Sequence, residues 1–252
     1  MCRTISIFNM KGGVGKTTTA YNLAAGLADF FNKKVLLVDI DPQGNSSASF
    51  GIKIWDLELH IKDVLLRKAS IQDTVITIRD NIDVVPANIS LAEDEIPISG
   101  LPGRELLLRK AIAKVQDRYD FILIDCPPNI GVFSMNALMA SDEVLIPVDL
   151  SFLGLLGLKS IEKALDLIHT ALDHQIKITG VLATRYDGRT NVSKEVLESL
   201  KSTFAEKMFD TVIPENVRIK EAPGFSIPVY KHDKKSEGAK AYTALVKEVV
   251  SR

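Results

Sequence analysis

The stretch Lys11-Gly12-Gly13-Val14-Gly15-Lys16-Thr17-Thr18 has the residue types and spacing to do chemistry. Glycine has no Cβ, so the backbone at Gly12, Gly13 and Gly15 can turn sharply and aim its N–H groups inward at one anion. Lys16 can set an ammonium on phosphate oxygens, and Thr17 can offer its hydroxyl to Mg²⁺. The loop departs from the general phosphate-loop spacing at one position. Met10 stands where a glycine is usual, and an additional lysine, Lys11, opens the loop. The chemistry implied is the binding of nucleotide phosphates.

Two other stretches add acids. Val35-Leu36-Leu37-Val38 runs into Asp39-Ile40-Asp41-Pro42-Gln43-Gly44-Asn45, and Phe121-Ile122-Leu123-Ile124 ends in Asp125-Cys126-Pro127-Pro128. An apolar run closed by a carboxylate is the Walker B arrangement, in which a buried strand carries an acid to the edge of a sheet. Paired with the glycine loop, Asp125 falls near where Mg²⁺ would sit.

These residues need strands and helices to hold them. Ile5–Phe8 reads as a buried strand, and Ala20, Leu23, Ala24, Leu27 and Phe31 recur at helical spacing after the loop. Further strands are predicted at Val35–Val38, Ile82–Pro86, Glu143–Val148, Ile176–Thr184 and Thr211–Ile213, with an edge strand at Thr74–Ile78. Helices are predicted at Ile61–Arg67, Gly103–Arg118, Gly131–Ala140, Gly154–Leu172, Val192–Met208 and Ser236–Val250, and residues 87–103 read as a polar connection. Strands alternating with helices predict an α/β fold: a single-domain P-loop NTPase over residues 1–252, its twisted sheet mostly parallel and covered by helices on both faces. Such a sheet gathers the ends of its strands, with Lys11, Asp41, Asp125 and Arg185, along one edge.

The chain has 252 residues, 46% of them hydrophobic, and a net charge of −1, so any nucleic-acid site must be a local patch rather than a global field. No secretory signal and no uncharged apolar run of membrane-spanning length are visible. Cys2 and Cys126 form no metal-spaced pair, which predicts a reduced cytoplasmic protein without disulfides.

The loop at 11–18, Asp39–Asn45, Ile122–Pro128 and Ile213–Pro223, with Tyr186-Asp187-Gly188-Arg189-Thr190, together resemble the ParA/Soj group of deviant-Walker ATPases, relatives of MinD. The resemblance covers nearly the whole chain. It implies a single α/β domain that binds ATP and Mg²⁺ and dimerises around two sandwiched nucleotides. By resemblance, Lys11 is the signature lysine that reaches the partner subunit's nucleotide, a cation supplied in trans. Lys16 is the phosphate lysine, Asp41 orients the attacking water, and Thr17, Asp41 and Asp125 surround the metal. Gly12, Gly13, Val14, Gly15 and Thr18 complete the phosphate cradle, while Pro214 and Asn216 lie against the adenine. Arg189 and Arg218 match positions that bind DNA nonspecifically. The implied cycle segregates a plasmid, a chromosome origin or a protein cargo on the nucleoid through a ParB-like or other adaptor that stimulates hydrolysis. With the first strand beginning at residue 4, no N-terminal helix-turn-helix domain is expected. The stretch Asp149–Gly157 departs from chromosomal relatives and leaves the partner open.

A MinD-like ATPase that cycles on a membrane for division-site placement is the main alternative. Leu245–Arg252 reads instead as the end of a core-packed helix, and no membrane binding is expected. A NifH-like reductase would need two suitably placed cysteines, which are lacking. A metabolic ATP-dependent ligase or kinase on the same scaffold has no readable substrate signature.

Overall fold

Several strand-forming runs of this chain are apolar at consecutive positions, and such runs need cover on both faces. The computed structural model describes residues 2–252, and of Leu156 the backbone alone. Its strands are β1 (Arg3–Ile7), β2 (Val35–Asp39), β3 (Ile76–Arg79), β4 (Ile82–Val85), β5 (Phe121–Asp125), β6 (Glu143–Asp149), β7 (Lys177–Tyr186) and β8 (Met208–Pro214). They form one eight-stranded sheet in the order β3-β4-β2-β5-β1-β6-β7-β8, parallel except for the β3–β4 edge pair.

The helices are α1 (Lys16–Phe31), α2 (Asn45–Ser49), α3 (Ile61–Leu65), α4 (Ile71–Thr74), α5 (Glu95–Ser99), α6 (Leu107–Ile112), α7 (Val132–Ala140), α8 (Phe152–Leu172), α9 (Asn191–Phe204), α10 (Val217–Glu221), α11 (Val229–His232) and α12 (Glu237–Ser251). Ser151, Thr190 and Ser236 cap α8, α9 and α12 by accepting the N–H of Gly154, Ser193 and Ala239.

Side chains of one strand alternate between two cores. Leu36, Val38, Ile122 and Ile124 pack with α6, α7, α8 and α9. Ile5, Ile7, Val35, Leu37 and Leu123 pack with α1 and α12. The apolar face of α12 (Tyr242, Leu245, Val246, Val249) is therefore spent in the core. No helix among the described residues is long and apolar enough to cross a membrane.

The contact between α1 and α12 depends on Gly26. A Cβ there would lie 2.4 Å from Val246 Cγ2. Gly26→Ala gains about 1 kcal/mol of helix propensity but overpacks at a cost of about 1–3 kcal/mol. The net expectation is a lower Tm, with a deeper fall for Gly26→Val. A Tm raised by Gly26→Ala would mean the two helices yield freely at this contact.

Three predicted elements differ. The helix expected over Gly103–Arg118 is broken into a 3-10 turn at Arg104–Leu106, α6, and a second 3-10 turn at Gln116–Arg118. Asn136 of α7 explains its start: it accepts from Leu108 N at 3.0 Å and donates to Arg104 O at 2.7 Å, replacing bonds a continuous helix would make itself. The connection at 87–103 holds a 3-10 segment, Ile89–Asp94, capped by Asn88, and then α5. Strand β8 starts at Met208, where helix was expected, because α12 satisfies its open edge. Glu248 accepts from Asp210 N (2.8 Å) and Thr211 N (3.1 Å), and Arg252 donates to Met208 O.

Candidate active site

Parallel register sets the acids side by side. Asp125 is the neighbour of Ile7 on one side and of Asp39 on the other. The glycine loop leaves β1 directly above them. Gly13 (φ +75°) and Gly15 (φ +89°) are left-handed, a conformation that side chains resist. Gly15 is the N-cap of α1 and supplies no side-chain acceptor, so first-turn N–H groups of this 16-residue helix remain available to an anion.

Lys16 is buried, and its Nζ donates to Lys11 O at 3.0 Å. Burial pulls its pKa down, while the nearby Asp125 pulls it up. Asp125 is fully buried. Its Oδ2 accepts from Ser46 Oγ at 2.6 Å, and its Oδ1 has no hydrogen-bond partner among the described residues. Asp39, equally buried, accepts from Ser47 N (2.9 Å), Ser47 Oγ (2.8 Å) and Asp41 N (3.2 Å). Desolvation pushes both carboxyls above the ordinary range, and the charge of Asp125 pushes Asp39 further. Asp41 is also buried, and its Oδ1 accepts from Gln43 N at 3.0 Å. Gly44 permits that turn: its φ is +63°, and a Cβ would meet Ala87 O at 2.6 Å.

The orphaned Asp125 Oδ1 is the informative atom. A buried polar atom without a partner costs about 1–3 kcal/mol, more when charged. Asp125, with Thr17 beside it, fits a hydrated Mg²⁺ held through water. The glycine cradle and Lys16 fit the phosphates that such an ion accompanies.

Lys11 points away from this cradle. Its Nζ donates to Asp149 Oδ2 (2.7 Å), Asp149 Oδ1 (2.9 Å) and Ser151 Oγ (3.0 Å). Sequence reading assigns Lys11 no partner on its own chain; the structure gives it one. The signal was available, since β6 repeats the pattern of β5, an apolar run ending in an acid.

Pro214 and Asn216 border a cleft of about 190 Å³ that also touches Gly13, Gly15 and Thr18. Asn216 Oδ1 is used as the cap of α10, accepting from Arg218 N at 2.9 Å. A larger cavity, about 1070 Å³, opens away from the glycine loop beside Asp142, Glu162, Asp166 and Glu206. Lys177, Lys207 and Arg252 line it with those acids, and none of the predicted site residues reaches it.

Arg189 and Arg218 are exposed but paired. Arg189 binds Asp187 through Nη2 (2.7 Å) and Nε (2.8 Å), and Arg218 binds Glu221 (2.7 Å) and Asp233 (3.4 Å). They lie beyond adjacent strands, β7 and β8, where Glu215 N donates to Tyr186 O. Ser46, Ser47, Asp149 and Ser151 are the site residues that local patterning leaves unassigned, and Arg185, expected along this edge, carries no assigned role there.

Fold and site together define a P-loop NTPase with two lysines in its loop. The AAA domain family matches residues 2–178. The chain is 44% identical over 252 residues to the sporulation initiation inhibitor protein Soj of Bacillus subtilis, covering 100% of this chain and 99% of that one. It is 40% identical over 253 residues to the chromosome-partitioning ATPase Soj of Treponema pallidum, covering 100% and 98%. The fold also superposes on cobyrinic acid a,c-diamide synthase from Mycobacterium smegmatis with bound ADP and magnesium, with a TM-score of 0.85 at 31% identity over 98% of this chain and 93% of that one. The chain belongs to the Soj/ParA family of ATPases within the ParA/MinD superfamily.

Proposed function

We propose that this chain is a partition ATPase that hydrolyses ATP with Mg²⁺, pairs with a second copy when ATP is bound, and in that state binds DNA without sequence preference. One observation carries the reading: the two lysines of a single loop diverge. Lys16 is buried beneath the loop, while Lys11 sits at the rim with its side chain 34% exposed. A phosphate loop needs one lysine for its own nucleotide. The exposure of the second supports a role on phosphates that arrive from outside, on another subunit.

Within the subunit, glycine-loop N–H groups, Lys16 and the start of α1 hold the phosphates. Thr17 and Asp125 hold the hydrated metal, whose contribution when bound is positive charge on the phosphate oxygens. Asp41 orients the attacking water, and Pro214 and Asn216 flank the base. The Asp149–Ser151 contact keeps Lys11 folded back until a partner's phosphates compete for it. An adaptor on the cargo stimulates hydrolysis and so releases the pair. The cargo is a plasmid, a chromosome origin or a protein assembly on the nucleoid of the cytoplasm. The use of α12 in the core weighs against membrane cycling.

Sedimentation tests the central step. Wild type is expected to be dimeric with ATP–Mg²⁺ and monomeric with ADP. Lys11→Ala is expected to stay monomeric with both and to lose about 100-fold or more in turnover, the scale of removing a preorganised charge from a transition state. If Lys11→Ala dimerises and turns over normally, the trans role is wrong.

A further inference from the structure

Arg185, near the end of β7, has a φ of +55°, in the left-handed region. A residue with a side chain is strained there, and such strain persists where the surroundings enforce it, often at functional sites. The surroundings are visible. Thr184 Oγ1 donates to Val14 O at 2.8 Å, and Arg185 Nη1 donates to Gly13 O at 3.3 Å, so consecutive residues grip consecutive carbonyls of the phosphate loop. Arg185 Nε donates to Glu215 Oε2 at 3.1 Å, and Lys220 engages the other oxygen of Glu215. The guanidinium therefore bridges the loop and the turn after β8, at the cleft bordered by Pro214 and Asn216. Its edge is tethered at two points, while the side chain is 54% exposed and lines that cleft.

We infer that Arg185 is a nucleotide-binding residue that recognises the base: its guanidinium stacks on the purine ring of the bound ATP or ADP. The inference rests on the reading of the glycine loop as the ATP site. A guanidinium is planar, delocalised and weakly hydrated, so it packs on an aromatic face as an ammonium does not. Gly13 O and Glu215 fix the plane before the nucleotide arrives, which lowers the ordering cost on binding. The strained backbone directs the side chain across the cleft instead of along the strand.

The test measures binding of ATP, ADP and inorganic tripolyphosphate, which has no base, to the full chain and to Arg185→Ala, Arg185→Lys and Arg185→Gly. The expected result is equal weakening of ATP and ADP by about 3- to 30-fold, the range for a cation on an aromatic face, with tripolyphosphate binding unchanged. Arg185→Lys keeps the charge but not the face, and is expected to follow Arg185→Ala. Arg185→Gly is expected to melt no lower than wild type without nucleotide, because glycine adopts φ +55° freely. Equal loss of tripolyphosphate binding, or recovery in Arg185→Lys, would make Arg185 a simple phosphate charge and overturn the assignment. So would unchanged ATP affinity, or a fall in Tm that accounts for lost binding. Wild type that binds no ATP defeats the underlying ATP-site reading instead.

Discussion

Lys16→Ala is expected to bind neither ATP nor ADP, whereas Asp41→Asn binds ATP tightly and stays locked in the dimer. Lys16 is 6% exposed and already desolvated, with Lys11 O and the nearby acids to answer its charge. Charge-assisted hydrogen bonds contribute about 1.5–3 kcal/mol each, so losing two of them weakens binding by about 100-fold or more. Asp41 differs in kind. It is about as buried, but one of its oxygens serves the turn at Gln43. Asp41→Asn keeps that acceptor while removing the charge that orients water, a change worth about 10²–10⁴ in rate. Nucleotide binding measured by equilibrium titration, with dimer lifetime by sedimentation, separates the two. Equal loss of ATP binding in both variants would place Asp41 directly on the metal.

DNA binding is expected with ATP and nearly absent with ADP. The reason lies in the ion pairs. Arg189 is cancelled by Asp187, and Arg218 faces both Glu221 and Asp233. Lys220 is held by Glu215, and Lys231 by Asp29. In a single copy these four cations are thus already answered by acids. Exposed pairs of this kind contribute about 0–1 kcal/mol, so a phosphate can displace the carboxylate, but each contact gains little. Two copies on one rigid surface change the arithmetic, because the second patch binds at high effective concentration.

Arg189→Glu or Arg218→Glu should abolish DNA binding while ATP dimerisation persists. Asp187→Asn or Asp233→Asn should do the reverse, raising affinity and steepening its fall with salt, since each freed cation adds about 0.9 to the logarithmic salt slope. Fluorescence anisotropy with unrelated duplexes across a salt series measures both effects. Wild type that binds equally well with ADP, or charge reversals without effect, would defeat the DNA switch. Arg218 adjoins the cleft bordered by Pro214 and Asn216 through Asn216, so nucleotide affinity serves as the control in its variants.

The sequence alone determined whatever depends on neighbours along the chain. Glycine φ freedom at Gly13 and Gly15, the helical period after Lys16, and apolar runs closed by Asp39 and Asp125 are local steric and hydrophobic facts, and β1, α1, β2 and β5 formed within a few residues of their predicted bounds. The alternation of such runs also determined the α/β class. Which strand lies beside which is a property of the whole fold. That order sets Asp39 against Asp125, folds Lys11 onto Asp149 from 138 residues away, and lays Arg185 on Gly13 from 172 residues away. It broke the helix at Gly103–Arg118, because Asn136 supplied bonds that no residue within that segment could foresee, and it extended β8 by bringing Glu248 and Arg252 to its edge. The physical reason is that backbone propensity and hydrophobic period act over one or two turns or a single strand. Strand order and side-chain pairing are settled by the packing of the whole core, and no local stretch of sequence carries that packing.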